Sequence, residues 1–215
     1  MPKTTKAKSA AASKEVSAET PKTAKPAMYR DYTTNGTFAS IAGSHGDIFT
    51  TFNQRTVMMH EVMGRRIVQF GGDLNGEKWH QTCEAVEVLL PRHAPDACRD
   101  PRALARLADE QRIPGQRDLA VIVNLRFERH ELLHHIWRLS TEFAFEHFAR
   151  QRGLPVLAVL HVPQRAGRAS LNHVHLIISR RRLINSFGDF CDDIAGQPGR
   201  ALVGDLWARW LAERG

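Results

Sequence analysis

Two apolar runs stand close together late in the chain, VLAVLHV at residues 156–162 and VHLIIS at residues 174–179, joined by a polar, basic loop. Both are short, apolar and rich in β-branched residues, and Pro155 and Pro163 bound the first. That composition and length predict strands rather than helices. Side chains alternate across a strand, so His173 and His175 share a face. If the two strands pair as a hairpin, His161 comes to lie beside them. Three imidazoles on one face outline a metal site, because neutral imidazole ligates many divalent ions. The plain alternative is packing or surface histidines. Arg165 and Arg168 in the connecting loop add cations beside the three rings. Such cations suit an anionic ligand, phosphate above all.

The rest of the chain is read around this hairpin. Residues 1–27 hold six lysines against two glutamates and almost nothing to bury, so they are expected to be a disordered basic tail. The tail either strengthens nucleic-acid binding by counterion release or serves only solubility. Residues 28–215 are expected to form one domain. Short strands are read at 37–42 and 48–52, a helix from about Thr56 into VMMHEVMGRRI, and a strand or helix over 79–90 ended by Pro91. Asp100-Pro101 predicts a helix start, with aspartate as N-cap and proline at the first helical position. Residues 119–125 predict a strand. Residues 129–152 give the clearest helix, with Leu132, Ile136, Leu139 and Phe143 at helical spacing and Gly153 as its terminator. His130, His134 and His135 lie on that stretch and are read as surface histidines. Arg180, Arg181 and Arg182 follow the second histidine strand directly and are read as contacts to a DNA backbone. Asp189, Asp192 and Asp193 are read as loop or cap residues. A last amphipathic helix over 200–214 carries Leu202, Leu206 and Trp210 on one face, widened by Val203, Trp207 and Leu211. Its tryptophans are read as core. This order of elements predicts an α+β fold, a mostly antiparallel central sheet that carries the histidines and is covered by helices.

Net charge is +7, which points to an acidic partner and to nucleic acid before membrane. No apolar run approaches the ~18 residues of a membrane span, and no apolar signal core stands near the start. No membrane insertion is therefore expected. Three cysteines without C-x-x-C spacing fit a reducing cytoplasm rather than a disulfide framework.

The segments LHVP and NHVHLIIS resemble the histidine motif of the MobA/MobL-type relaxases, part of the wider class of HUH endonucleases. The resemblance extends through LLPRHAPDACRDPRAL at 89–104, DLAVIVNL at 118–125, the long helix and the tail NSFGDF, and covers about residues 84–215. It implies a domain that nicks and rejoins single-stranded DNA in plasmid mobilisation or conjugation, a relaxase-like fold, and His161, His173 and His175 holding one divalent ion, Mg²⁺ or Mn²⁺. It also implies single-stranded DNA at a transfer origin as partner, with accessory transfer proteins. Two alternatives remain at this stage, a non-catalytic DNA-binding module of the same fold and an HUH-type replication initiator.

The resemblance further implies a tyrosine nucleophile in a helix upstream of the LLP stretch, and here the sequence departs from the pattern. The matching region, TVMMHEVMGRRI, contains no tyrosine. The chain has two, Tyr29 and Tyr32, both earlier. Tyr32 is the preferred tyrosine because it lies farther from the tail. His60, followed by Glu61, stands about where the tyrosine belongs and is the other candidate, since histidine also forms covalent intermediates. Its alternative is an ordinary surface histidine. Glu128 is read either as a partner orienting a ligand histidine or as a helix N-terminal acid.

Overall fold

The computed structural model describes residues 29–31, 43–68, 73–76, 79–128 and 130–214, with the backbone alone for 29–31. Tyr32, the basic tail and the strand expected at 37–42 lie outside the described residues.

Six strands form one sheet in the order β1 (Tyr29–Asp31), β2 (Gly43–Phe49), β6 (Asp118–Phe127), β8 (Asn172–Ser179), β7 (Val156–His161) and β5 (Ala85–Leu89). Every neighbouring pair is antiparallel. β3 (Thr51–Phe52) and β4 (Arg55–Thr56) make a small hairpin, and β9 (Arg181–Leu183) pairs with β10 (Phe187–Phe190). The fold is α+β with a mostly antiparallel sheet covered by helices, as the sequence predicts. The strand read at 48–52 is displaced, because β2 ends at Phe49 and the chain turns into the β3–β4 hairpin.

Alternation along the central strands divides the core in two. Ala120, Ile122, Leu157, Val159 and Ile177 face α1 (Met59–Ile67) and α2 (Pro101–Glu110). Val121, Val123, Val156, Ala158, Val174, Leu176 and Ile178 face α3 (Leu133–Ala144) and α4 (Gly196–Arg214). A sheet covered on both faces has central strands that are apolar at nearly every position. That explains why β6, β7 and β8 read as continuous hydrophobic runs.

Local signals set most helix ends. Asp100 accepts a hydrogen bond from Ala103 N at 2.8 Å, and Pro101 opens α2 as predicted. Gly153 takes φ 68°, the left-handed conformation that glycine adopts without a Cβ penalty. α1 starts at Met59 rather than Thr56 and has no cap of its own. Asp109 of α2 supplies one, accepting from Met59 N at 2.6 Å and His60 N at 3.0 Å. α3 begins at Leu133, so His130 sits in the turn before it and does not share a helical face with His134. The helix continues as a π-helical turn over Phe145–Arg150. In α4 the buried large apolar side chains are Val203, Trp207 and Trp210, a face turned slightly from the one read through Leu202 and Leu206. Both tryptophans belong to the core, packing with Phe143.

Candidate functional site

The β7–β8 register places His161 directly opposite His173, with His175 two residues along on the same face. β6 continues the rows: Asn124 is opposite His175 and Arg126 opposite His173. The three imidazole centroids form a triangle with sides of 5.3, 5.1 and 4.8 Å. His161 is 5% exposed, and His173 and His175 are half-buried.

Each ring is held from behind. His173 Nδ1 meets the Leu171 carbonyl at 2.9 Å. His175 Nδ1 meets Asn124 Oδ1, and Asn124 Nδ2 in turn donates to Ser44 Oγ at 2.7 Å. The backbone of Arg66 hydrogen-bonds His161. A carbonyl oxygen can only accept, so Nδ1 of His173 and His175 carries the proton and Nε2 keeps its lone pair.

All three rings are held neutral. Burial, with the charges of His173, Arg66 and Arg168, pushes His161 down to about 4. Burial lowers His173 too, aided by Arg126 and Arg66. His175 lies well below the ordinary histidine range, through burial first and then Arg66 and the other two histidines.

These properties suit a cation ligand set. Three imidazoles sharing one ion at ~2.1 Å would place their centroids roughly 4.5–5.3 Å apart, which matches the triangle. As the rings stand, no ready-made ligating group of three is present among the described residues. His161 and His173 lie nearly parallel, 18° apart, so one must turn for both lone pairs to reach one ion. The identity, neutrality and tautomers of the donors fit a divalent ion, and the adjustment is a side-chain rotation.

The histidines open on a cleft of about 820 Å³. Arg65 and Arg66 from the end of α1, with Arg165 and Arg168 from the β7–β8 connection, line it together with Glu84. Arg165 pairs with Glu84, and Arg65 pairs with Glu61 at 2.8 Å. Four guanidinium groups, offset by the two carboxylates of Glu84 and Glu61, leave the cleft with a positive balance that suits anions. Arg65, Arg66, Glu84 and Asn124 were not singled out in the sequence. Asn124 did leave a signal there: it is the lone polar residue inside AVIVNL.

The remaining expected site residues lie elsewhere. His60 stands at the start of α1, its ring stacked on Trp79 at 6.1 Å, and it does not line the cleft. Six residues, about 9 Å of helix, separate it from Arg66. The Arg180–Arg182 run follows the far end of β8 from the histidines. Arg180 is buried and donates to the Cys191 carbonyl and to Asp192 at 2.7 Å. Arg181 is also buried and donates to the carbonyls of Gly188, Gln111 and Phe187. Only Arg182 is exposed, and it donates to the Arg152 carbonyl at 3.2 Å. Arg180 and Arg181 therefore latch loops together. Glu128 is exposed, its backbone N–H donating to Glu131 at 3.2 Å, and the oxygen that orients a histidine is Asn124's. Asp192 and Asp193 pair with Arg180 and Arg152, as loop residues do. Tyr29 lies in β1, opposite Ile48. β1 runs from there toward Gly46, and so toward the end of the sheet that holds Ser44 and Asn124.

No family model matches the chain. No curated protein matches it. A solved structure described as "Molecular Basis of Vancomycin Resistance Transfer in Staphylococcus aureus" is similar in fold. It superposes with a TM-score of 0.58 over 88% of this chain and 95% of that one, at 17% identity. At that identity the likeness is one of fold. Among the described residues no helix is long and apolar enough to cross a membrane.

Proposed function

We propose that this chain is a relaxase-like enzyme that nicks and rejoins single-stranded DNA in the transfer of a plasmid or other mobile element. The observation that carries the reading is the triangle of three neutral imidazoles opening on an arginine-lined cleft. The fold shared with a protein described in terms of resistance transfer supports it, as does the resemblance of the histidine segments to MobA/MobL-type relaxases.

Each group has a task in this reading. Arg65, Arg66, Arg165 and Arg168 draw in the DNA backbone and orient the scissile phosphate. His161, His173 and His175 would hold one Mg²⁺ or Mn²⁺, which would supply charge withdrawal from the phosphate and stabilisation of the charge that develops in the displacement. A side-chain oxygen attacks phosphorus, the bond to the 3′ oxygen breaks, and the proton lost by the nucleophile is replaced on the leaving 3′ hydroxyl. The covalent 5′ link retains the bond for rejoining by the reverse step. Tyr32 is the nucleophile of this proposal, as the tyrosine farther from the basic tail, and because His60 is stacked on Trp79 and does not line the cleft.

The test is incubation with single-stranded oligonucleotides from the intergenic DNA of the element that encodes the chain, with Mn²⁺, with Mg²⁺ and with chelator. The expected result is a metal-dependent, acid-stable protein–DNA adduct that Tyr32→Phe abolishes. An acid-labile adduct lost in His60→Ala would move the nucleophile to histidine. DNA binding without any adduct would reduce the chain to a binding module.

A further inference from the structure

A further arginine stands beside the histidines without lining the cleft. Arg126 lies on β6 directly opposite His173, which itself lies directly opposite His161 on β7. Residues paired directly across an antiparallel ladder point to the same face, so Arg126 shares the face of the three rings. Asn124, two residues back along β6, reaches His175 from that face. Arg126 is exposed, although Leu125 and Phe127 on either side of it are buried. Among the described residues no hydrogen bond or ion pair engages its guanidinium. Glu128, the acid nearest to it in sequence, is exposed and lies beyond the end of β6. The arginines on the other side of the histidines differ in this respect, since Arg165 pairs with Glu84 and Arg65 with Glu61.

We propose that Arg126 receives the phosphate next to the one seated at the histidines, so that the DNA strand crosses the row of His161 and His173 from the β7–β8 connection toward β6. The inference rests on the single-strand reading above. Neighbouring strands lie ~4.8 Å apart, so Arg126 stands about one such step beyond His173 and roughly 10 Å from His161. Its charge reaches both His173 and His175. An arginine there is a poor neighbour for a divalent ion on the same rings, because like charges repel. A phosphate between them removes the repulsion and accepts two parallel hydrogen bonds from the guanidinium. With Arg165 and Arg168 on one side of the rings and Arg126 on the other, cations flank the site along the direction of the row. A contact of this kind reads no base. It sets the path of the backbone, and so which phosphate comes to rest at the histidines. Arg126 is thus a positioning residue.

The experiment uses the full chain and a single-stranded oligonucleotide from the element's intergenic DNA, made in a series with one uncharged methylphosphonate at each phosphate in turn. Binding is measured with Mn²⁺ and with chelator, for the wild type, Arg126→Ala and Arg126→Lys. The phosphate at the histidines is the one whose neutralisation removes the gain in affinity that Mn²⁺ gives. Arg126→Ala should weaken the unmodified strand about three- to tenfold and lower the slope of log K against log salt by about 0.7, with Mn²⁺ affinity and melting temperature unchanged. At the phosphate beside the histidine position, the methylphosphonate should weaken the wild type and leave Arg126→Ala unaffected. Arg126→Lys should restore the salt slope. Losses that add at every position, an Arg126-dependent position elsewhere on the strand, or weakening that comes with lost Mn²⁺ affinity each overturn the contact and leave the DNA reading standing. A wild type that binds no strand of the series overturns the DNA reading, and the contact with it.

Discussion

At the scale of single residues, the three histidines are not equivalent. All three line the cleft, but His173 and His175 are half-buried whereas His161 is 5% exposed. His173→Ala and His175→Ala should each abolish Mn²⁺ binding with the melting temperature nearly unchanged. His161→Ala should lose both metal and stability, since it opens a cavity beside packed strands. Calorimetric titration with Mn²⁺ and thermal melts separate the two effects, and unchanged affinity in the His173/His175 double variant would remove the site. Asn124 acts through His175. Replacing it with Ala takes away the oxygen that holds Nδ1 and should weaken Mn²⁺ about 10–100-fold, the usual cost of losing such a partner. The depressed histidines also couple folding to pH. His161 titrates at about 4 in the fold and at its ordinary value near 6.5 when unfolded, so below that value the unfolded chain binds more protons. The contribution of neutral His161 is full above pH 6.5 and falls away as pH drops toward 4. Urea midpoints across that window should decline for the wild type and more gently for His161→Gln.

At the scale of elements, the arginines divide by the end of the sheet they occupy. Those of α1 and the β7–β8 connection line the cleft, and those after β8 lock β9, β10 and the residues following α2. Arg181→Ala strands three carbonyl acceptors and should destabilise by roughly 2–4 kcal/mol without altering the salt dependence of DNA binding. Arg168→Ala should do the opposite. It should leave the melt unchanged and reduce the slope of log K against log salt by about 0.7, one phosphate contact on a single strand. A reversed pattern would relocate the DNA surface to the β8–β9 corner. The contrast could not be read from the run of three arginines, because a charge run on a sequence does not say which carbonyls lie within its reach. α1 shows the same limit, since its start is set by Asp109, fifty residues away.

For the whole molecule, charge and architecture act together. The net charge of +7 includes a surplus of four from residues 1–27, six lysines less two glutamates. Deleting that segment should lower the salt slope if it touches DNA, and leave adduct formation at saturating DNA unchanged. A slope near zero in the intact chain would remove nucleic acid as the partner. By itself the sequence determined what depends on near neighbours along the chain. It determined the β7–β8 hairpin, the shared face of His173 and His175, the cap at Asp100, the glycine stop at 153 and the α+β class, because alternation, capping and backbone freedom are local physics. Tertiary structure alone decided what depends on lateral packing. It set β6 against β8, so that Asn124 met His175, and it turned the end of α1 toward the histidines, so that Arg65 and Arg66 completed the cleft while His60 stayed on Trp79. Strand order and helix orientation follow from burying both faces of one sheet at once, a condition that no single segment of the chain contains.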